Sequence, residues 1–224
     1  MVDLDSSKNQ SILKPNTRPF NNQAHQVNEV AKKIAEKIYK LIKDAKHSND
    51  GIILNHNKIK EAFFSPFKPQ LKDAQVFLSH SHADKNKALK VKNYLEEDLD
   101  AECVFIDSLF WDYKDNIMKE MSKYDNTSKI EDAFTLILRE SLQDMIEKCP
   151  YFVFLKSKNS VSDQGLSRST YSAWIYEELK IAHSIRESRP TPMMESWQAF
   201  HDISPFLENL ETITLKELSQ QINS

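Results

Sequence analysis

Short apolar runs alternate with longer amphipathic stretches over the last two thirds of the chain. Each apolar run has the length of a buried strand, and the runs lie at residues 75–78, 103–106 and 151–155. The stretches after them place apolar residues three or four apart, which predicts helices at residues 85–97, 130–147 and 170–185. This alternation predicts an α/β fold with a parallel sheet that is covered by helices on both faces.

The first 73 residues have a different pattern. Apolar residues recur at helical spacing on one face from Val27 to Ile42, which predicts a helix over residues 23–45. A shorter helix is expected over residues 56–64, and prolines follow it. These residues therefore predict a helical segment that packs on the rest of the protein or on a second copy.

Charge changes at the same place in the chain. Residues 1–74 carry 13 Lys and Arg against 8 Asp and Glu, whereas residues 75–224 carry 17 against 25. The basic segment lacks interleaved aromatic residues, so it indicates a solvated helix face and not a nucleic-acid partner. We predict an N-terminal helical extension over residues 1–73 and a main domain over residues 74–224.

Parts of the main domain lack a clear pattern. We expect a long connection over residues 112–132 and a polar loop over residues 157–169. Residues 190–204 make a poor strand, and a short strand is expected at residues 212–215. The sequence therefore does not define the far edge of the predicted sheet.

Glycine is scarce, since only Gly51 and Gly165 occur. A Walker A loop and the dinucleotide-binding G-x-G-x-x-G fingerprint each need two or three glycines close together. Both motifs are therefore excluded. A nucleotide ligand would have to be held by side chains and helix N-termini.

Other features of composition concern location. The longest apolar runs are far shorter than the roughly 18 residues of a membrane-spanning helix, and the polar N-terminus lacks the apolar core of a secretory signal. Two isolated cysteines, Cys103 and Cys149, give no disulfide framework and are expected to be buried free thiols. These features predict a cytoplasmic protein without a membrane partner.

Polar residues follow the predicted strands. One group runs from His80 to Asp84, a second from Asp107 to Trp111, and a third lies in the loop that leads to Trp174. Ligands of parallel α/β sheets bind at the carboxyl ends of the strands. We therefore expect these three groups to lie at one edge of the sheet.

Trp174 and Glu178 are four residues apart on a predicted helix, so they share a face. Ser172 is a plausible N-cap, which places the pair in the first two turns. Glu177 points about 100° away from Glu178. On spacing alone, Trp174 as a core residue and Glu178 as a solvated charge remain the alternative interpretation.

His80, His82 and Asp84 spell an H-x-H-x-D pattern after a strand. The pattern resembles the metal motif of the metallo-β-lactamase fold and suits a hydrolytic metal site. Lys85 stands where that family has a further histidine. A polar turn and helix cap is the alternative, and we predict no metal site.

Four segments in order resemble a Toll/interleukin-1 receptor (TIR) domain of the bacterial kind. They are residues 76–84, 104–111, 152–155 and 172–179, which read VFLSHSHAD, VFIDSLFW, FVFL and SAWIYEEL. The resemblance covers roughly residues 74–185. It implies a flavodoxin-like fold, together with either signalling by self-association or cleavage of NAD.

In the NAD-cleaving members of that family, the helix glutamate of a W-x-x-x-E pattern is catalytic, and this role falls on Glu178. The resemblance implies a substrate site that is bordered by six further residues, listed here: His80, Ser81, His82, Asp107, Trp111 and Trp174. It implies an NAD glycohydrolase or cyclase in bacterial antiphage defence or signalling. NAD is then a substrate and not a cofactor.

The resemblance also implies self-association through the TIR-like domain or the N-terminal helices. Two other functions remain open at this point. One is a non-catalytic TIR interaction module, in which Glu178 is structural. The other is a metallohydrolase that uses His80, His82 and Asp84.

Overall fold

The chain is described by a computed structural model that is divided into two compact units. The described residues are 1–13, 33–41, 43–44, 46–48, 51–53, 56–66, 72–99, 104–122, 128–164, 167–187 and 201–223. The first unit comprises Met1–Arg18, Asp73–Ser108 and Met145–Ser224, and the second comprises Pro19–Lys72 and Leu109–Asp144. This grouping differs from the division that we predicted at residue 74.

The first unit is built on a parallel sheet of four strands, and the second contains a hairpin. The described strands are β1 (Val2–Asp3), β2 (Lys46–Ser48), β3 (Gly51–Ile53), β4 (Val76–Ser79), β5 (Val104–Ile106), β6 (Tyr151–Lys156), β7 (Ser162–Gln164), β8 (Ser167–Thr170) and β9 (His201–Asp202). The parallel sheet has the order β1-β6-β4-β5. The α/β class and the parallel sheet that the sequence predicts are confirmed.

Helices lie between many of these strands along the chain. They are α1 (Ser7–Ile12), α2 (His56–Phe64), α3 (Lys85–Leu99), α4 (Asp107–Met121), α5 (Ser128–Lys148), α6 (Ala173–Glu187), α7 (Ser204–Glu208) and α8 (Leu215–Ile222). Residues 33–41 are also helical. Among the residues that the structure describes, no helix combines the length and the apolar character needed to cross a membrane.

The central strand β4 explains why the sheet forms. All four of its residues are buried, as expected for a parallel strand between two neighbours. Phe77 pairs in register with Phe105 of β5 and Phe152 of β6, and its ring stacks on both at 5.8 and 5.9 Å between centroids. These cross-strand aromatic pairs fix the register of the three strands.

The N-terminus of the chain supplies the edge strand of the sheet. Val2 pairs with Leu155 of β6, and the Leu4 amide donates to the carbonyl of Lys156 at 2.8 Å. Asn9 of α1 accepts a hydrogen bond from the Leu215 amide at 3.1 Å. The extension predicted as helical thus has helices, but it also contains β1 and the β2–β3 hairpin.

Three local predictions are wrong. The connection expected at residues 112–132 is largely helical, because α4 occupies Asp107–Met121 and α5 begins at Ser128. The polar loop expected at residues 157–169 contains β7 and β8, which pair with β9 in an antiparallel sheet. The strand expected at residues 212–215 is an extended lead into α8, which begins at Leu215 with a capping box between Thr214 and Glu217.

The second unit is described here by itself. Strands β2 and β3 pair in antiparallel register, and α2 buries Ile59, Ala62 and Phe63. Lys60 of α2 forms an ion pair with Asp144 of α5 at 2.5 Å. The helix predicted over residues 56–64 is confirmed at its stated bounds.

Candidate functional site

The connections of the parallel sheet reverse direction between β4 and β6. From β4 the chain passes to β5 on one side and then to β6 on the other side. Ligands of open α/β sheets bind in the crevice beyond the carboxyl ends of the strands at such a switch point. Ser79 ends β4 there, and Ser157 follows the last residue of β6.

A buried serine and a buried glutamate meet at this point. The Ser79 hydroxyl donates a hydrogen bond to Oε2 of Glu178, and both residues are 0% exposed. The two residues are 99 positions apart in the chain. The fold therefore brings the predicted catalytic carboxylate to the end of the central strand.

An apolar cluster lies on the same helix as Glu178. Ile175 and Leu179 belong to this buried cluster together with Phe154 of β6. Phe154 is the register partner of Ser79. The Ser79 hydroxyl therefore gives Oε2 of Glu178 a polar partner at this buried position.

Trp174 and Glu178 lie in the first two turns of α6, as predicted. The Ser172 hydroxyl accepts a hydrogen bond from the Ile175 amide at 3.3 Å, so Ser172 is confirmed as the N-cap. Trp174 lies one turn before Glu178 and is partly buried. Glu177 is partly exposed, and its carboxylate lies 3.9 Å from the ammonium of Lys180. Glu177 and Glu178 therefore differ in burial.

A second buried carboxylate, Asp84, lies at the same edge. Its Oδ2 accepts a hydrogen bond from Ser157, and its Oδ1 accepts one from Asn159 at 2.9 Å. The ammonium of Lys87 lies 3.3 Å from Oδ1. We call these four residues the Asp84 cluster, and they join the turn after β4 to the turn after β6.

The Asp84 cluster favours the charged carboxylate. Burial by itself would raise the pKa of Asp84, but the hydrogen bonds from Ser157 and Asn159 and the charge of Lys87 outweigh it. The pKa of Asp84 therefore lies below its ordinary value of 3.8. Asp84 is 2% exposed and is paired on both oxygens.

The turn after β4 contains three residues that we predicted to border a substrate. His80 is buried, Ser81 is partly buried, and His82 is exposed at the start of a single 3₁₀ turn. The Ser81 carbonyl accepts a hydrogen bond from the Asp84 amide at 2.8 Å. His80 directly follows Ser79 in the chain, whereas His82 faces solvent.

The other predicted site residues are placed as follows. Asp107 is the first residue of α4 in the first unit, and Trp111 belongs to the same helix in the second unit. The side chains of both lie outside the described residues. Cys149 is a buried free thiol, as predicted, and burial raises its pKa to about 11. Cys103 also lies outside the described residues.

The H-x-H-x-D residues are placed in different environments. Within the described part of the chain, no group of three or more His, Cys, Asp or Glu side chains is arranged to hold a metal ion. Asp84 instead accepts hydrogen bonds from Ser157 and Asn159.

The sequence pattern did not single out the serines of this edge. The predicted strand ends at Leu78, yet Ser79 is the last residue of β4 and donates a hydrogen bond to Glu178. Ser157 was assigned to a polar loop, yet it donates to Asp84. A serine that directly ends a buried apolar run was the available signal, because such a hydroxyl needs a partner.

No protein-family model, no curated protein and no solved structure matches this chain. The site is therefore interpreted from its own contacts and from the residue patterns described above.

Proposed function

We propose that this protein is a TIR-like enzyme that cleaves NAD between nicotinamide and ribose, with Glu178 as the catalytic carboxylate. The observation that carries the proposal is the placement of Glu178. It lies beside Ser79 at the carboxyl end of the central strand, where the connections of the sheet reverse. Trp174 precedes it by one helical turn, as the W-x-x-x-E pattern requires.

The strand order supports the flavodoxin-like part of the proposal. Flavodoxin-like sheets have the order 2-1-3-4-5. The order β5-β4-β6-β1 corresponds to the first four positions, with β4 as the first strand. The fourth position is filled by residues from the N-terminus, so this chain builds that edge in its own way.

A single carboxylate is enough for the proposed chemistry. When the bond between the ribose C1′ and the nicotinamide nitrogen breaks, its electron pair neutralises the positive pyridinium ring. The leaving group needs no general acid, and oxocarbenium charge develops on the ribose. Water then adds to C1′ in hydrolysis, or a nitrogen of the adenine ring adds in cyclisation.

The expected size of the effect follows from Coulomb's law. A carboxylate about 4 Å from the developing charge stabilises it by about 4 kcal/mol at an effective dielectric constant near 20. This energy corresponds to about a thousandfold in rate. Glu178 supplies that effect in its charged form.

The burial of Glu178 sets a condition on this mechanism. The residue is 0% exposed, so the proposed reaction requires NAD binding or assembly to open a path to it. Trp174 is partly buried on the same helix face and is the first side chain that we expect to move. We propose that activation involves self-association, through the TIR-like domain or the N-terminal helices, in antiphage defence or signalling in the cytoplasm.

The same burial favours a second candidate function. A fully buried glutamate that is hydrogen-bonded to a strand also suits a non-catalytic TIR interaction module. In that case Glu178 joins α6 to β4 and contributes only to stability. The two functions differ in whether the protein consumes NAD.

The experiment follows nicotinamide release from NAD over a series of protein concentrations. The catalytic proposal predicts release by the wild type that rises more steeply than concentration, because assembly opens the site. Glu178→Gln should lower the rate by about a thousandfold. Glu177→Gln is the matched control, since Glu177 is partly exposed on the same helix and should keep the rate.

An absence of nicotinamide release at every concentration at which self-association is observed would favour the interaction module instead. A Glu178→Gln variant that keeps the wild-type rate would show that Glu178 is not the catalytic carboxylate. Loss of release in a chelator would favour the metallohydrolase.

A further inference from the structure

We propose that Ser79 is a positioning residue that holds the Glu178 carboxylate in place for the ribose of the substrate. The inference rests on the proposed function of Glu178, and it adds a residue that the sequence pattern did not identify. The hydroxyl of Ser79 donates to Oε2 of Glu178, and neither residue is exposed.

The backbone of Ser79 is held by the sheet. It ends β4, and its register partner in β6 is Phe154. The three residues before it pair with strands on both sides. A hydroxyl on such a strand has a nearly fixed position, whereas a long side chain on a helix has several rotamers. Ser79 is therefore the fixed partner of the pair.

Ser79 is a polar residue at the end of an otherwise apolar strand, β4. Alternation along a strand puts Ser79 on the same face as Phe77, whose ring stacks on Phe105 and Phe152. Apolar packing on that face would accept alanine or valine. A buried hydroxyl costs free energy unless it is hydrogen-bonded, and the described partner is the carboxylate of Glu178.

The hydrogen bond acts on orientation. A donor to a carboxylate is among the stronger hydrogen bonds in proteins, and it fixes the direction of the acceptor oxygen. Without it, Oε2 of Glu178 loses the donor that sets its direction toward the bond to be cleaved. A misplacement of about 1 Å costs about a hundredfold in rate.

The test uses two variants that differ only in a hydroxyl group. Thr and Val have the same shape, and both suit a strand. Ser79→Val should lower kcat for nicotinamide release by about a hundredfold with little change in KM. Ser79→Thr should keep most of the rate, because it restores the donor. Glu178 is followed in both by the carboxyl ¹³C resonance of labelled glutamate, assigned with Glu178→Gln.

The resonance is a readout that packing alone would not explain. It should shift in Ser79→Val and stay near its wild-type position in Ser79→Thr. If the added methyl group prevents folding, Ser79→Ala replaces Ser79→Val. Ser160→Ala is then the control, because Ser160 is equally buried at this edge but bonds the carbonyls of Leu155 and Ser157.

The outcomes separate this inference from the proposed function. If the wild type releases no nicotinamide, the proposed function fails, and the positioning role fails with it. If the wild type is active but Ser79→Val keeps its kcat, only the positioning role is wrong. It is also wrong if Ser79→Thr loses as much rate as Ser79→Val, or if the Glu178 resonance does not move in Ser79→Val.

Discussion

Asp84 and Glu178 are both buried carboxylates at the carboxyl edge of the parallel sheet, and each accepts a hydrogen bond from a serine. Their surroundings differ. Asp84 also accepts from Asn159 and lies 3.3 Å from the ammonium of Lys87. Glu178 is flanked on its helix by Ile175 and Leu179, which belong to an apolar cluster.

The two environments suit different roles under the proposed function. Asp84 joins two turns, and its charge is matched by a cation and by amide and hydroxyl donors. Because both of its oxygens accept hydrogen bonds, Asp84 has little capacity left for a substrate. A carboxylate in apolar surroundings interacts more strongly with a developing positive charge, because the local dielectric constant is low. This contrast is the basis of the following predictions.

The largest expected effect on stability concerns Asp84. Asp84→Ala should lower the free energy of unfolding by about 3 kcal/mol, because it leaves the buried Ser157 hydroxyl without its acceptor and removes the hydrogen bond from Asn159. Glu178→Gln should change it by about 1 kcal/mol or less, because the amide oxygen still accepts from Ser79. Urea unfolding of the two variants measures this difference. If both variants lose the same free energy of unfolding, Asp84 and Glu178 do not differ in their contribution to stability.

A smaller loss is expected when Ser157 is replaced. Ser157→Ala removes the donor to Asp84 and an acceptor for the Asn159 and Ser160 amides, so we expect about 1.5 kcal/mol. Ser11 is a matched control, because it is exposed and bonds a nearby carbonyl. Ser11→Ala should cost less than about 0.5 kcal/mol. A loss in Ser157→Ala no larger than in Ser11→Ala would show that the cluster is not stabilising.

The dependence of stability on pH gives a third comparison. The folded pKa of Asp84 lies below its ordinary value of 3.8, so its contribution is present above that pH and is lost as the pH falls through the folded value. The difference in stability between the wild type and Asp84→Asn should therefore shrink below about pH 4 and stay constant between pH 5 and 7. Denaturant unfolding at several pH values measures it. A difference that persists unchanged into acid would contradict the assignment of the charged form.

The smallest effect is expected for Lys87. Its side chain is 44% exposed, so the ion pair with Asp84 is screened by solvent. Lys87→Met should cost at most about 1 kcal/mol at low salt, and less in 1 M salt, where the Debye length is about 3 Å. A larger or salt-independent loss would mean that Lys87 stabilises the fold through packing.

The sequence predicts the central part of this fold well. The strands at 75–78 and 151–155 and the helices after them are found within one to three residues of the expected bounds. Local apolar periodicity is strong there, because each of these elements buries a face in the core. The sequence also predicts the N-cap at Ser172 and the position of Glu178 within its helix.

Other features depend on partners that are distant in the chain. Strand β1 is only two residues long and exists because it pairs with β6. Strand β8 is polar and pairs with β7 and β9, so it has no apolar pattern to read. The contacts of Asp84 with Ser157 and of Glu178 with Ser79 join residues 73 and 99 positions apart. Residue spacing along the chain carries no information about such pairs.

Two of the wrong predictions concern segments whose own sequence contains a local helix signal. In α4, the largely apolar residues Phe110, Tyr113, Ile117 and Met121 recur at intervals of three or four, which is a helical period. At the start of α8, Thr214 and Glu217 spell the T-x-x-E capping box, and the structure contains both of its hydrogen bonds. This capping box indicates a helix that begins at Leu215 and not a strand at residues 212–215.

The most direct test of the account compares nicotinamide release by Glu178→Gln and Asp84→Asn with that of the wild type. All three are assayed at the same concentration of folded protein and under conditions of self-association. If Glu178 is the catalytic carboxylate, Glu178→Gln loses about a thousandfold in rate, whereas Asp84→Asn keeps most of its rate per folded molecule. Wild-type activity that survives in Glu178→Gln, or that is lost equally in a folded Asp84→Asn, would contradict it.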